Sequence, residues 1–437
     1  MHCVAKSRGF SRQSCAACAA RDDANAYAVG LCRWSGYHCV PLGVIFVTEI
    51  ETISRRMNTS KTSSHVNFVF VAMVGSLLFM MSSCSTDIVL NAPYKKSPVV
   101  FGLLDAQQDT QWVRVNRTWL GEGNQFDAAM LADSSEYPAE DLTVEITERV
   151  GGQIREWSLI DTVIGNKLED GIFFGPHQQM WYFIPEGGLN TDAEYDLKIA
   201  IEGEEDDVTA TTNMIAEQIG NISQPPPGVT NFKIGFASVG FQTTFPDITF
   251  KWSSTAGASR YDATMLIHVT ERIWNDEAHT DLLTEEERII EWPIGTLTTQ
   301  DDEGGDILQK EVSGERFFTT LASQLEPDPF VTRVLGVWDD EVQIARVVDF
   351  VLTIANDELS TYLEINSPVT GVIQERPEYT NINWGSEGGL GLFAARSTQG
   401  VYGIGCTTAS LAYLIEGADT YELNFCTPNP FSDFYCD

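Results

Sequence analysis

The sequence predicts an all-β protein made of two tandem β-sandwiches, with one short helix in the second. Three observations carry that expectation. Apolar and polar residues alternate over short runs, the period of a strand with one buried face. Gly, Asp and Asn turns separate the runs, with no amphipathic helices between them. Pro225-Pro226-Pro227 then divides two stretches of this kind, because prolines cannot join a central strand and favour a stiff, extended linker.

In chain order, residues 1–56 show no sustained period and hold five of the nine cysteines: Cys3, Cys15, Cys18, Cys32 and Cys39. A metal site is a weak reading, since Cys15-Ala-Ala-Cys18 makes one C-x2-C pair while Cys32 and Cys39 have six residues between them. Residues 57–83 read as a lipoprotein signal peptide: MNTSKTSSH is polar with one lysine, an apolar run starts at Phe68, and Ser82-Ser83-Cys84 closes it. Such a signal works only at an N terminus. The expectation is therefore that synthesis begins at Met57 and that residues 1–56 are a spurious extension. Cys84 is then the first mature residue and the lipid attachment site, where acyl chains anchor the protein to the membrane. A membrane-spanning helix is the rival reading. Val66–Met81 is 16 residues, short of the roughly 20 needed, and no Lys/Arg cluster follows. The expected location is the bacterial envelope, as an outer-membrane lipoprotein on either the periplasmic or the surface face.

Charge excludes one class of partner. The chain carries 27 basic and 62 acidic residues, a net −35, and residues 1–83 account for eight of the former and four of the latter. So acidic a chain cannot bind nucleic acid through phosphates, which requires basic clusters. It would be soluble and repelled by anionic lipid surfaces, leaving anchorage to the lipid. At 43% hydrophobic residues it is not a disordered chain.

Residues 84–97 form a short polar tether, and residues 98–220 the first sandwich. Val99–Leu104 is apolar. Gln111–Trp119 alternates, with Val113 and Val115 on one face and Arg114 and Asn116 on the other. Leu142–Glu148, Met180–Ile184 and Tyr195–Ile201 continue the pattern. Gly203 to Asp207 is an acidic turn. Residues 221–228 are the linker and residues 229–358 the second domain. Its strands are Ile248–Trp252 and a long run in which Tyr261, Ala263, Met265, Ile267 and Val269 share a face, His268 lying opposite towards solvent. Phe317, Phe318, Leu321 and Leu325 make the stripe of the one helix, which Ser313 can cap and Pro327 stops. Val334–Trp338, an Asp339-Asp340 turn and Gln343–Ile354 read as a closing hairpin. Residues 359–437 read as a C-terminal β segment, in which Gly388 to Ser397 is a glycine-rich turn entering a tightly packed strand. A phosphate loop would need a Lys-Ser/Thr pair and a following helix, and neither is there.

Two resemblances follow from these residues. Ile248–Trp252 with Ala258-Ser259-Arg260-Tyr261 and the strand to Thr270 resembles a fibronectin type III module, in which a tryptophan packs beneath the next strand; Trp252 and Tyr261 take those places. Val99–Asp105, Trp112–Asn124, Gly171–Phe174 and Thr380–Arg396 together resemble an uncharacterised family of Bacteroidota surface lipoproteins with Ig-like domains. The resemblance spans most of residues 84–425. It implies a lipid-anchored envelope protein and carries no ligand or catalytic residue with it. Two features depart from that family: Ser85-Thr86-Asp87 offers one acidic residue after the cysteine where members often have several, and the tail Cys426–Cys436 is an addition.

No catalytic signature is present. Beyond residue 84 the histidines are His177, His268 and His279, in no ligand spacing. No G-x-S-x-G occurs. Asp301 to Asp306 is acidic, but its glycine and ligand order fail the EF-hand pattern. Neither a metal nor another cofactor is therefore expected. The predicted function is non-enzymatic: binding or bracing an envelope protein or glycan partner. The alternative is a hydrolase of extracellular polysaccharide or peptide using carboxylates as acid and base. An oxidising envelope also favours a disulfide. Cys426–Cys436 is the preferred pair and Cys406–Cys426 its rival.

Overall fold

In the computed structural model the period-2 alternation becomes strands joined mostly by tight turns. The structure describes residues 96–120, 124–167, 171–216, 222–300, 303–367, 378–386 and 388–436. The signal, Cys84 and the proposed start at Met57 lie outside the described residues.

The first half runs β1 (Pro98–Asp105), β2 (Gln111–Arg117), α1 (Gln125–Ala129), α2 (Ala132–Ser135), β3 (Leu142–Val150) and β4 (Gln153–Ser158). It continues with β5 (Ile160–Gly165), β6 (His177–Phe183), β7 (Glu194–Ile201) and β8 (Val208–Asn213). The second half opens with β9 (Ile222–Gln224), β10 (Lys233–Ile234), β11 (Asp247–Ser253), β12 (Arg260–Trp274), β13 (Leu282–Thr298) and β14 (Ile307–Ser313). Then come α3 (Glu315–Gln324), β15 (Val331–Leu335), β16 (Val337–Asp339), β17 (Ile344–Arg346) and β18 (Val348–Ala355). The last elements are α4 (Asp357–Asn366), β19 (Asn383–Trp384), β20 (Leu390–Cys406), α5 (Thr408–Glu416) and β21 (Phe425–Cys426).

One 11-stranded sheet runs β21-β15-β12-β18-β20-β1-β2-β6-β5, with β10 on β20 and β13 on β12. Its β1-β2-β6 end supplies Val100, Val113 and Trp181 to one core, opposite Ile146, Leu197 and Val208 from the sheet β19-β8-β7-β3-β4. Its β12-β18 end supplies Tyr261, Met265 and Phe350 to a second core, shared with Phe250 and Trp252 of the sheet β14-β11-β9 and with Phe317 and Leu321 of α3. Phe236 stacks on Phe317 with ring centroids 4.0 Å apart, and Phe250 on Phe350 at 4.8 Å. Each buried aromatic of this kind contributes more than its area alone.

A single strand belongs to both ends. The first half of β20 pairs in parallel with β1, from Val99↔Leu390 to Asp105↔Arg396. Its second half pairs antiparallel with β18, from Ala355↔Arg396 to Val348↔Ile404. Close parallel pairing explains one glycine: a Cβ on Gly391, at φ +107°, would sit 1.9 Å from the Val100 carbonyl oxygen.

Both halves use a tyrosine hydroxyl to tie a strand start to the loop before it. Tyr195 of β7 accepts a hydrogen bond from the Asn190 N–H at 2.8 Å, and Tyr261 of β12 accepts one from the Thr255 N–H at 2.7 Å. The Tyr195 hydroxyl also donates to the buried Glu148, which Arg155 Nε contacts at 2.6 Å. Burial pushes the Glu148 carboxyl up, but the hydrogen bonds from Arg155, Tyr195 and the Asn190 N–H hold it below the usual carboxylate range.

Helices are where the chain departs from the expected pattern. Five α-helices stand among the described residues, not one. Three of the four unforeseen ones start at side-chain caps: Asn124 accepts from Phe126 N, Asn356 from Leu359 N and Thr407 from Ser410 N, whereas α2 starts at Leu131 without one. Residues 359–437 are accordingly not a purely β segment, since α4 and α5 interrupt them and Tyr421–Leu423 is a 3₁₀ turn. At α3 the cap residue is Gly314, and the Ser313 hydroxyl accepts from Glu315 N at 3.3 Å. The expected closing hairpin is a smaller one, β16–β17, while β15 and β18 lie along the same edge of β12.

Candidate functional site

Alternation gives β1, β2 and β6 two faces, and the face away from the core is largely apolar with two polar side chains set in it. Phe101 and Leu103 project there from β1, Trp112 and Arg114 from β2, and Gln178 and Met180 from β6. Helix α4 lies over this face. Asn356 fixes it by a double role: its Oδ1 caps Leu359 N at 3.2 Å, and its Nδ2 donates to Thr212 Oγ1 at 2.8 Å and to the Asn213 carbonyl at 3.1 Å. Leu359, Tyr362 and Leu363 follow at helical spacing and present one apolar stripe. Between helix and sheet lies a cleft of about 540 Å³, lined by these residues with Gly102, Leu392 and Arg396. That volume is in the range of small-molecule sites.

Two residues that line the cleft each carry a polar atom, closed to solvent, whose needs are unmet. Arg114 Nε and Gln178 Oε1 are buried and have no hydrogen-bond partner among the described residues. The Arg114 guanidinium lies over the Phe101 ring at 5.3 Å, and Phe101 meets Tyr362 edge-on at 6.1 Å. Burial pulls the Arg114 guanidinium below its ordinary pKa, against the opposing fields of Tyr362 and Glu136. The Gln178 amide is oriented by donation from its Nε2 to Asn166 Oδ1 at 2.5 Å, which leaves Oε1 as the spare acceptor. Arg396, by contrast, is matched: its Nε meets Asp105 Oδ2 at 3.2 Å. The cleft lining thus carries one arginine without a salt bridge and one amide oxygen without a donor, within aromatic and aliphatic walls.

The residues singled out from the sequence fall elsewhere. Cys426 and Cys436 are joined by a disulfide, and Cys406 is a free cysteine whose thiol burial pushes far up. His268 is not simply solvent-facing: its Nε2 lies 2.8 Å from Asp349 Oδ2. His279 Nε2 lies 2.8 Å from the Pro329 carbonyl. No group of three or more His, Cys, Asp or Glu side chains is arranged for a metal among the described residues. No helix there is long and apolar enough to cross a membrane. The third orphaned polar atom, Trp252 Nε1, lies inside the second core, 1% exposed.

No protein-family profile matches the chain, and no curated protein matches it. Among solved structures it is similar to one described as "Biofilm associated protein - BSP domain", at 8% identity and a TM-score of 0.11, over 71% of this chain and 60% of that one. A similarity at that TM-score carries no argument about fold or function.

Proposed function

We propose that the protein is a non-catalytic, lipid-anchored envelope protein that binds a ligand in the cleft between α4 and the outward face of β1, β2 and β6. One observation carries the binding reading: Arg114 and Gln178 bring two unpartnered buried atoms to one aromatic-lined cavity. Buried polar groups in folded proteins are normally satisfied, so two orphans in one cavity point to a partner from outside the chain. The cleft walls offer no carboxylate, imidazole or thiol. Such walls can hold a ligand; they lack the carboxylate pair that glycoside hydrolysis needs. The envelope reading rests on the polar start, the apolar run and Cys84. The Ig-like or fibronectin-like reading is supported by two cores that each receive residues from facing sheets and by the two tyrosine hydroxyls tied to upstream backbone.

Both parts are testable on the full-length, detergent-extracted protein. Mass spectrometry of its N-terminal peptide should find diacylglycerol on Cys84; an unmodified Cys84, or a peptide containing Trp34, contradicts the anchor. A fragment library read by ligand-detected NMR should yield hits that compete for one site and are lost in Trp112→Ala. Hits that persist in Trp112→Ala, or cleavage of polysaccharide and peptide substrates, contradict non-catalytic binding in the cleft.

A further inference from the structure

We infer that the cleft recognises an N-acylated amino-acid carboxylate with an apolar side chain, the chemistry of a peptide C-terminus or of a free N-acyl amino acid. This rests on the cleft being the binding site. Three features select the class.

The first is the charge. Arg114 presents a planar fork of donors that matches the two oxygens of a carboxylate. It sits half-buried over Phe101 with no carboxylate paired to it among the described residues. Because Asp105 already matches Arg396, Arg114 is the one cation in the cleft lining without a salt bridge, with the field of Glu136 as its nearest carboxylate influence. One charge balances a monoanion; a phosphate dianion would leave a second charge buried without compensation.

The second is the spare acceptor. Gln178 lines the cleft and its Oε1 has no donor among the described residues; a turn of the side chain towards the cleft lets a ligand N–H supply one. In the β2–β6 ladder Val113 pairs with Trp181, so by strand alternation Arg114 and Gln178 stand on the same outward face just beyond the last pair. An N-acyl amino acid carries its amide N–H on the carbon next to the carboxylate. Because both side chains rise from one face, the carboxylate can meet Arg114 while the amide N–H meets Gln178. A simple fatty acid offers no such donor.

The third is the wall. Leu103, Met180, Leu359 and Leu363 surround the two polar groups. A sugar acid would place several hydroxyls against these side chains without partners, each at a cost. An aromatic or aliphatic side chain packs there instead, and Trp112 gives it a flat surface.

Four probes on the full-length protein test this: N-acetyl-phenylalanine, its amide, 3-phenylpropionate and a tripeptide acid ending in phenylalanine. Titration by NMR or calorimetry should show saturable binding of the acetylated acid. The amide should bind about ten- to hundredfold more weakly, the span of a charge-assisted hydrogen bond. Phenylpropionate should be weaker by several-fold, and Gln178→Leu should erase that gap. Arg114→Met should erase the preference for acid over amide while the unfolding midpoint holds or rises, which separates lost recognition from lost fold. A tripeptide tighter than the acetylated residue assigns the site to peptide termini, and equal affinity assigns it to the free acid. Equal binding of acid and amide that Trp112→Ala removes overturns the ligand class and leaves the binding site standing. Failure of all four probes, together with no competing fragments, overturns both.

Discussion

The two ends of the large sheet turn different faces outward, and the contrast concerns charge. On the β12-β18 end the outward side chains are matched to one another. Arg260 Nε reaches Asp262 Oδ2 at 2.8 Å, and His268 reaches Asp349 at the same distance. Nearby, Arg333, with 4% of its side chain exposed, contacts Glu271 at 2.8 Å and the Leu423 and Glu326 carbonyls at 2.9 and 3.0 Å. On the β1-β2-β6 end the outward face is aromatic, and Arg114 has no such set of partners. In a chain with 62 acidic residues to 27 basic ones, acids are abundant enough to match every cation. An arginine left without a salt bridge under a helix is the feature on which the proposed binding reading rests.

The comparison can be broken most forcefully at Arg333. Arg333→Met should destabilise the protein by about 3–5 kcal/mol in urea unfolding, because it leaves the buried Leu423 carbonyl without its donor and takes from Glu271 its closest cation. A loss under 1 kcal/mol would mean that its bonds do not hold the tail to β15. That tail has a second tie. Reduction of Cys426–Cys436, a separation of 10 residues, should cost ~2–3 kcal/mol on chain-entropy grounds. Unfolding midpoints unchanged by reductant would contradict it.

A smaller effect concerns the outward pair on β12 and β18. The hydrogen bond to Asp349 raises the His268 pKa against the cost of its burial. Burial pushes Asp349 up, but the bonds from His268 and the Gly403 N–H, with the field of Arg346, hold it below the ordinary carboxylate range. A raised histidine stabilises fully below its unfolded pKa and loses that contribution as pH rises through the folded one. A lowered carboxylate stabilises above its unfolded pKa and loses that as pH falls. Both contributions therefore coexist in mildly acidic solution. Asp349→Asn should cost about 0.5–1 kcal/mol near pH 5.5 and less near pH 9, read as the difference in unfolding free energy from wild type at each pH. A larger cost at pH 9 would reverse the assignment. The smallest expected change is the most telling: Arg114→Met should leave stability within about 0.5 kcal/mol of wild type, or raise it, since it removes a desolvated charge with no partner. A loss near that of Arg333→Met would show that Arg114 is structural.

Much of the fold was legible where a long strand announces one buried face; β13 was not, because its first eight residues are exposed on both faces. Tyr261 to Val269 alternate without a break, and Phe317, Phe318 and Leu321 mark α3 by their spacing. Helix α4 was harder to see. Its stripe of Leu359, Tyr362 and Leu363 follows directly on β18, and its start depends on what Asn356 bonds, which involves Thr212 about 140 positions earlier. The cleft was less legible still. Arg114, opposite Val113 and Val115, reads as an ordinary solvent-facing residue until a helix from another part of the chain is laid over it. One signal was available: Val99–Leu104 is apolar on both faces, and a strand of that composition expects cover on its second face as well.

The most direct measurement is the side-chain Nε–H resonance of Arg114 in an ¹⁵N-labelled sample titrated with N-acetyl-phenylalanine. If Arg114 Nε is the donor awaiting a carboxylate, that signal moves downfield and saturates with the same affinity as the ligand's own line broadening, and N-acetyl-phenylalaninamide moves it little. If the acid binds while the Arg114 signal stays in place, or the amide moves it equally, the unmatched arginine is not the recognition element and the account of the cleft is wrong.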